Sequence, residues 1–161
     1  MAIPFVELNK ANPSSIIELF EIELTVGKHI ATGNPQNLPT IYRFHAGANL
    51  NSFGEIVFQS QSYQRVVVKT EGFETKSSGV IGRPLLTFSN LGGINRDPTT
   101  AQLMTMSDFL QLVNQVTPHN DLIDAKVTRK LPLASALDNI NFASGTNPFG
   151  TPSSNRLRDE I

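Results

Sequence analysis

The chain has 161 residues with 39% hydrophobic and only 17% charged residues, room for one domain or one domain with a trailing segment and for a real core. Its 13 basic and 14 acidic residues leave a net charge of −1, without the basic excess that marks nucleic-acid binding. It has no cysteine, no stretch approaching the roughly 20 apolar residues of a membrane helix and no basic-then-apolar leader, so it reads as made in a cytoplasm without disulfides, thiolate metal sites or membrane insertion.

Along the chain, residues 16–26 give the first strand, with Phe20, Ile22 and Leu24 alternating with Glu21 and Glu23, while Ile16-Ile17 also fits the start of a short helix capped by Ser14 or Ser15. A loop containing Gly33-Asn34-Pro35 and Pro39 follows, then a strand over residues 41–45 and a turn-rich stretch at 47–52. Residues 55–59 and 63–70 are further strands, the second carrying the β-branched run Val66-Val67-Val68. Residues 85–89 form a short apolar run between Pro84 and Asn90, which predicts a strand buried on both faces. Apolar residues at 106, 109, 110, 113 and 116 predict an amphipathic helix capped by Thr105 or Ser107 and ended by Pro118. Residues 126–133 are a last strand with Val127, Leu131 and Leu133 on one face. From Asn141 the composition shifts to Ser, Asn, Gly and Pro. The expected organisation is a β-rich domain over 1–140 and a loop with C-terminal extension over 141–161, which reads as entering a further element. Residues 143–154 are expected to be poorly ordered alone and to order on assembly. The fold class is mainly β (α+β), an antiparallel sheet or barrel-like domain with one or two short helices.

Motifs that carry chemistry are nearly absent. His29, His45 and His119 are too far apart for one local metal motif and read as ordinary surface or half-buried histidines. Ser78 lacks the flanking glycines of a nucleophile turn, with Lys76 and Val80 in their places. Gly79, Gly82, Gly92 and Gly93 lack the lysine and Ser/Thr of a phosphate loop. Arg83, between Gly82 and Pro84, reads as bracing a turn or subunit contact. Glu21 and Glu23 read as solvent-facing residues rather than a catalytic pair. No catalytic, cofactor or metal site is assigned.

Four segments, in order, resemble the minor tail protein L family of lambda-like siphophages. The most distinctive is Gly72-Phe73-Glu74, a small-residue spacer, then Gly82-Arg83-Pro84 and an apolar run into Ser89-Asn90-Leu91. Upstream lies Phe20-Glu21-Ile22-Glu23-Leu24-Thr25. Downstream lie Val127-Thr128-Arg129-Lys130 and Leu137-Asp138-Asn139-Ile140-Asn141-Phe142. The resemblance covers residues 18–150 and implies a largely β structural protein, not an enzyme, at the tail tip of the virion, assembled in the host cytoplasm. It implies a homo-oligomeric, trimeric ring between the distal tail protein and the central hub or tail fibre protein. It makes Gly72, Phe73, Glu74, Gly82, Arg83, Pro84, Ser89, Asn90, Leu91, Arg129, Lys130, Asp138, Asn141 and Phe142 candidate assembly contacts. On that reading, Arg83→Ala or Phe73→Asp impairs assembly more than folding. Longer members carry a cysteine-bearing domain linked to an iron–sulfur cluster; with no cysteine here, that cofactor is not carried over. The alternatives are a receptor- or carbohydrate-binding module, for which there is no Trp and only Tyr42 and Tyr63 to stack on sugars, and a cell-wall hydrolase, for which no carboxylate pair is legible.

Overall fold

Alternation along Leu-Phe-Glu-Ile-Glu makes residues 19–23 the central strand of the molecule, because Phe20 and Ile22 leave one face and Leu19 the other, and both faces are covered. The computed structural model describes residues 15–35, 37–47, 55–73, 84–89, 95–96, 103–104 and 122–160. Its principal strands are β1 (Leu19–Glu23), β2 (Ile41–His45), β3 (Glu55–Phe58), β4 (Gln61–Arg65), β5 (Val68–Glu71) and β6 (Leu85–Phe88). The short β7 (Asn95–Arg96) and β8 (Leu103–Met104), then β9 (Lys126–Pro132) and β10 (Arg156–Glu160), complete them. A six-stranded sheet has the order β10-β9-β1-β2-β4-β3; β5 pairs with β6, and β7 with β8, as separate ribbons.

The mainly β class is as expected, and one pairing departs from a purely antiparallel sheet. β2 and β4 run parallel, joined only at Phe44↔Gln64 and His45↔Arg65. The reason is topological: β3 and β4 form a tight hairpin, and the hairpin docks on β2 through β4. Helical structure among the described residues is limited to two 3-10 turns, Ala134–Ala136 and Asn139–Asn141. The helix expected over 106–116 lies outside the described residues.

Two cores sit on opposite faces of the sheet. The first contains Phe20, Ile22, Leu24, Tyr42, Phe44 and Val66, with Phe73, Leu86, Phe88 and Val127 packed against it. Phe20 and Phe44 stack at 5.4 Å between centroids, and Phe88 meets Phe44 edge-on at 5.0 Å. The second contains Leu19, Ile56, Phe58, Tyr63, Ala136 and Leu137, with Ile17 and Phe142 against it. Each fully buried aliphatic or Phe side chain contributes about 1.5–3 kcal/mol. The β5–β6 ribbon therefore covers one face, and the segment after β9 covers the other.

That arrangement corrects two expectations. β6 is not buried on both faces: Leu85 and Thr87 are exposed while Leu86 and Phe88 are half-buried, because a two-stranded ribbon turns one face to the core and one to solvent. Residues 143–154 are held by the chain itself. The buried Asn147 donates from Nδ2 to the carbonyls of Ala134 (2.9 Å), Ser135 (3.2 Å) and Leu137 (3.0 Å), and its own N–H donates to Asn139 Oδ1 (2.8 Å). Ser153 N–H bonds the Ala136 carbonyl at 3.1 Å. A Cβ at Gly150 would lie 2.9 Å from Ser135 Cβ, so this close approach needs glycine. Polar side chains, not apolar area, order this stretch, which is why its composition reads as disordered. Beyond it, β10 lies antiparallel on β9.

Candidate functional site

The four segments singled out in the sequence meet in two places. On the first face, β1 and β9 are adjacent with Phe20 opposite Arg129. Gly72, at φ 76°, turns the chain out of β5 so that Phe73 falls against Phe20 with 6.3 Å between centroids. The Arg129 guanidinium lies 4.5 Å above the Phe73 ring and pairs with Glu18 at 3.3 Å. Three of the four segments thus converge on a stack of Phe20, Phe73 and Arg129. Phe73 roofs the first core, so its loss is expected to unsettle the fold whatever its part in assembly.

On the second face, the fourth segment seals the edge of β3. Asn141, fully buried, accepts the Val57 N–H on Oδ1 and donates from Nδ2 to the Val57 carbonyl, both at 2.6 Å. Its carboxamide thereby mimics the next strand. The Asp138 carboxylate accepts the N–H groups of Gln59 (3.0 Å) and Ser60 (2.7 Å), the two residues of the β3–β4 turn. Both have left-handed backbones, at φ 53° and 60°, with no glycine to ease them. Asp138 holds the strained turn, and Asn141 closes the edge beside it. Phe142 packs under the second core and meets Phe149 edge-on at 6.0 Å. Ile140 of this segment, and Phe149 beyond it, are left exposed.

Between these places lies a charged knot that sequence reasoning misread. Glu21 does not face solvent; its side chain is 15% exposed. Its Oε1 accepts the Tyr63 hydroxyl (2.7 Å) and Arg43 Nε (3.1 Å), with Lys130 Nζ at 2.9 Å. Burial alone would push the Glu21 carboxyl up, but the hydrogen bonds and the positive charges of Lys130 and Arg43 outweigh it and hold it below 4.5. Burial, then the bond to Glu21, pushes the Tyr63 hydroxyl up, so it stays a donor. Arg156 of β10 closes a pair with Asp159, at 2.5 Å, next to the same knot. Glu23, by contrast, is exposed as expected and lies 3.6 Å from Lys126. The signal that could have found Glu21 is its cross-strand partner: a Glu in a strand opposite an Arg and beside a Lys is half of a buried ion cluster once both strands are central.

The two described histidines, His29 and His45, do not converge on a metal site. His29 is buried, with Nδ1 accepting the Thr25 N–H (2.9 Å) and Nε2 2.8 Å from the Ile123 carbonyl, so both ring nitrogens are spent on pinning the β1–β2 loop to the turn before β9. His45 is buried on β2, and His119 lies outside the described residues. Among the described residues, no group of three or more His, Cys, Asp or Glu could hold a metal ion. No helix of the described residues is long and apolar enough to cross a membrane. Pro84 is exposed at the start of β6, and the Ser89 N–H bonds the Val67 carbonyl at 2.9 Å. Glu74, Gly82, Arg83, Asn90 and Leu91 lie outside the described residues.

Comparison with known proteins gives two findings. A family model described as phage minor tail protein L matches residues 37–159. Tail tip protein L of Escherichia phage lambda is 28% identical over 148 residues, covering 91% of this chain and 50% of that protein. The chain spans half the length of that curated relative.

Proposed function

This chain belongs to the phage minor tail protein L family, and from that premise we propose that it is a structural component of a phage tail tip, without catalysis of its own. In this reading it is a virion protein assembled in the host cytoplasm, and it forms a trimeric ring between the distal tail protein and the central hub. The family match over residues 37–159 carries the proposal. The structure supports it in kind: among the described residues, polar and charged side chains of the family segments brace strands, turns and edges. Arg129 braces Phe73, Asp138 and Asn141 brace the β3–β4 hairpin, and Glu21 ties β1 to β2, β4 and β9. Deleting the gene from its phage tests the proposal. Particles with filled heads and no functional tails, rescued by the gene in trans, are expected; normal tails and normal infectivity from the deletion would refute it.

A further inference from the structure

The parallel ladder between β2 and β4 is only two residue pairs long, Phe44↔Gln64 and His45↔Arg65. Register fixes which main-chain groups face the gap. Leu24 N–H donates to the Thr40 carbonyl at 2.7 Å, so on β2 Thr40, Tyr42 and Phe44 bond β1, while Ile41, Arg43 and His45 face β4. The Val66 N–H bond to the His45 carbonyl at 2.9 Å agrees. On β4, the two-residue turn makes Phe58↔Gln61 a hydrogen-bonded pair, so Tyr63 bonds β3 while Ser62 and Gln64 face β2. Val57, opposite Ser62, accordingly faces outward and is met there by Asn141. Among the described residues no pairing continues past Phe44↔Gln64. Among the described residues, no strand partner meets the N–H and C=O of Ile41, the N–H of Arg43 or the N–H and C=O of Ser62, which face the slot between the strands.

A cavity of about 300 Å³ occupies that slot, lined by Pro39, Ile41, Arg43, Glu55, Ser62 and Gln64. Gln64, on its lining, has a buried Oε1 without a hydrogen-bond partner. Donors and acceptors alternate on both walls, and β2 from Ile41 to Arg43 offers about 10 Å of strand edge. An anion fits poorly against two carbonyls and the Glu55 carboxylate. An extended polypeptide presents N–H and C=O groups in the matching alternation. We propose that the slot between β2 and β4 receives an extended segment of a neighbouring tail protein, held by main-chain hydrogen bonds to Ile41, Arg43 and Ser62. The identity of the neighbour as a tail protein rests on the reading above; the slot does not.

The test uses the purified chain and short peptides tiled across the other tail proteins of the same phage and across this chain. The expected result is a peptide from another tail protein that slows amide exchange at Ile41, Arg43 and Ser62. Ser62→Pro removes the N–H that faces the slot together with the hydroxyl bond to Glu55 (2.6 Å) and is expected to weaken that peptide roughly five- to tenfold or more, whereas Ser62→Ala removes the hydroxyl bond alone and keeps binding within about twofold. Should Ser62→Pro lower the melting temperature, Ile41→Pro replaces it, and the exchange measurement on the unaltered chain needs no variant. Protection elsewhere, binding indifferent to the proline, binding only by this chain's own peptides, or no binding would each overturn the slot. A phage that loses its tails on deletion yet tolerates Ser62→Pro would separate failure of the slot from failure of the tail-tip reading.

Discussion

Replacing Asn141 by Ala removes the side chain that completes the edge of β3. Val57 N–H and C=O lose their 2.6 Å partners, and the Asp138 carbonyl loses a donor at 2.7 Å. An unsatisfied buried main-chain group costs roughly 1–3 kcal/mol. The Val57 and Asp138 carbonyls keep the N–H groups of Asp138 (3.2 Å) and Asn141 (3.1 Å), so the unpaired Val57 N–H and the cavity left by the buried carboxamide set the expected loss, about 3 kcal/mol. For a domain near this size, that lowers the melting temperature by about 6–12 °C. Urea denaturation followed by far-ultraviolet circular dichroism measures it. Asn141→Asp separates size from chemistry: it keeps the acceptor for Val57 N–H but sets a carboxylate against the Val57 carbonyl, so at neutral pH it should cost at least as much. An unsealed β3 edge should also self-associate, read by sedimentation. A loss under about 0.5 kcal/mol, with no change in association, would refute the strand-mimic reasoning.

Glu21 makes stability pH-dependent. Its folded carboxyl titrates below its ordinary value of 4.5, so its contribution is present above pH 4.5 and falls away as the pH drops through the folded value. Glu21→Gln should flatten that acid limb in thermal melts; an unchanged limb would exonerate the residue. At the first-face stack, Phe73→Ala should lower stability by about 2–3 kcal/mol, and Arg129→Ala by about 1 kcal/mol through the lost cation–π contact and ion pair. A double-mutant cycle in urea should then show coupling, and strict additivity would deny the contact. In the β3–β4 turn, Gln59→Asn with Ser60→Gly relieves left-handed strain and should stabilise by about 0.5–1 kcal/mol, with less dependence on Asp138 in the same melts.

The period-2 alternation of Phe20, Ile22 and Leu24, and of Tyr42 and Phe44, made the central strands legible, since a half-buried strand needs that pattern. The β3–β4 turn was not placed because Gln59 and Ser60 carry no turn signature; its backbone is held by Asp138, 78 residues away in sequence. Asn141 was marked by resemblance, but its role depends on where β3 lies, which local pattern does not encode. Glu21 was misread because alternation says which face a residue takes, not that Tyr63, Arg43 and Lys130 wait on that face. The order in residues 143–154 was hidden for a related reason: one buried Asn147 bonded to three carbonyls leaves no hydrophobic pattern.

Cryo-electron microscopy of intact phage tails tests the central claim most directly. The sheet described above should fit density in a threefold ring between the distal tail ring and the hub, with the Asn141-sealed edge and the Phe73–Arg129 roof intact. Its absence from purified tails, or its appearance outside the tip, would contradict the claim.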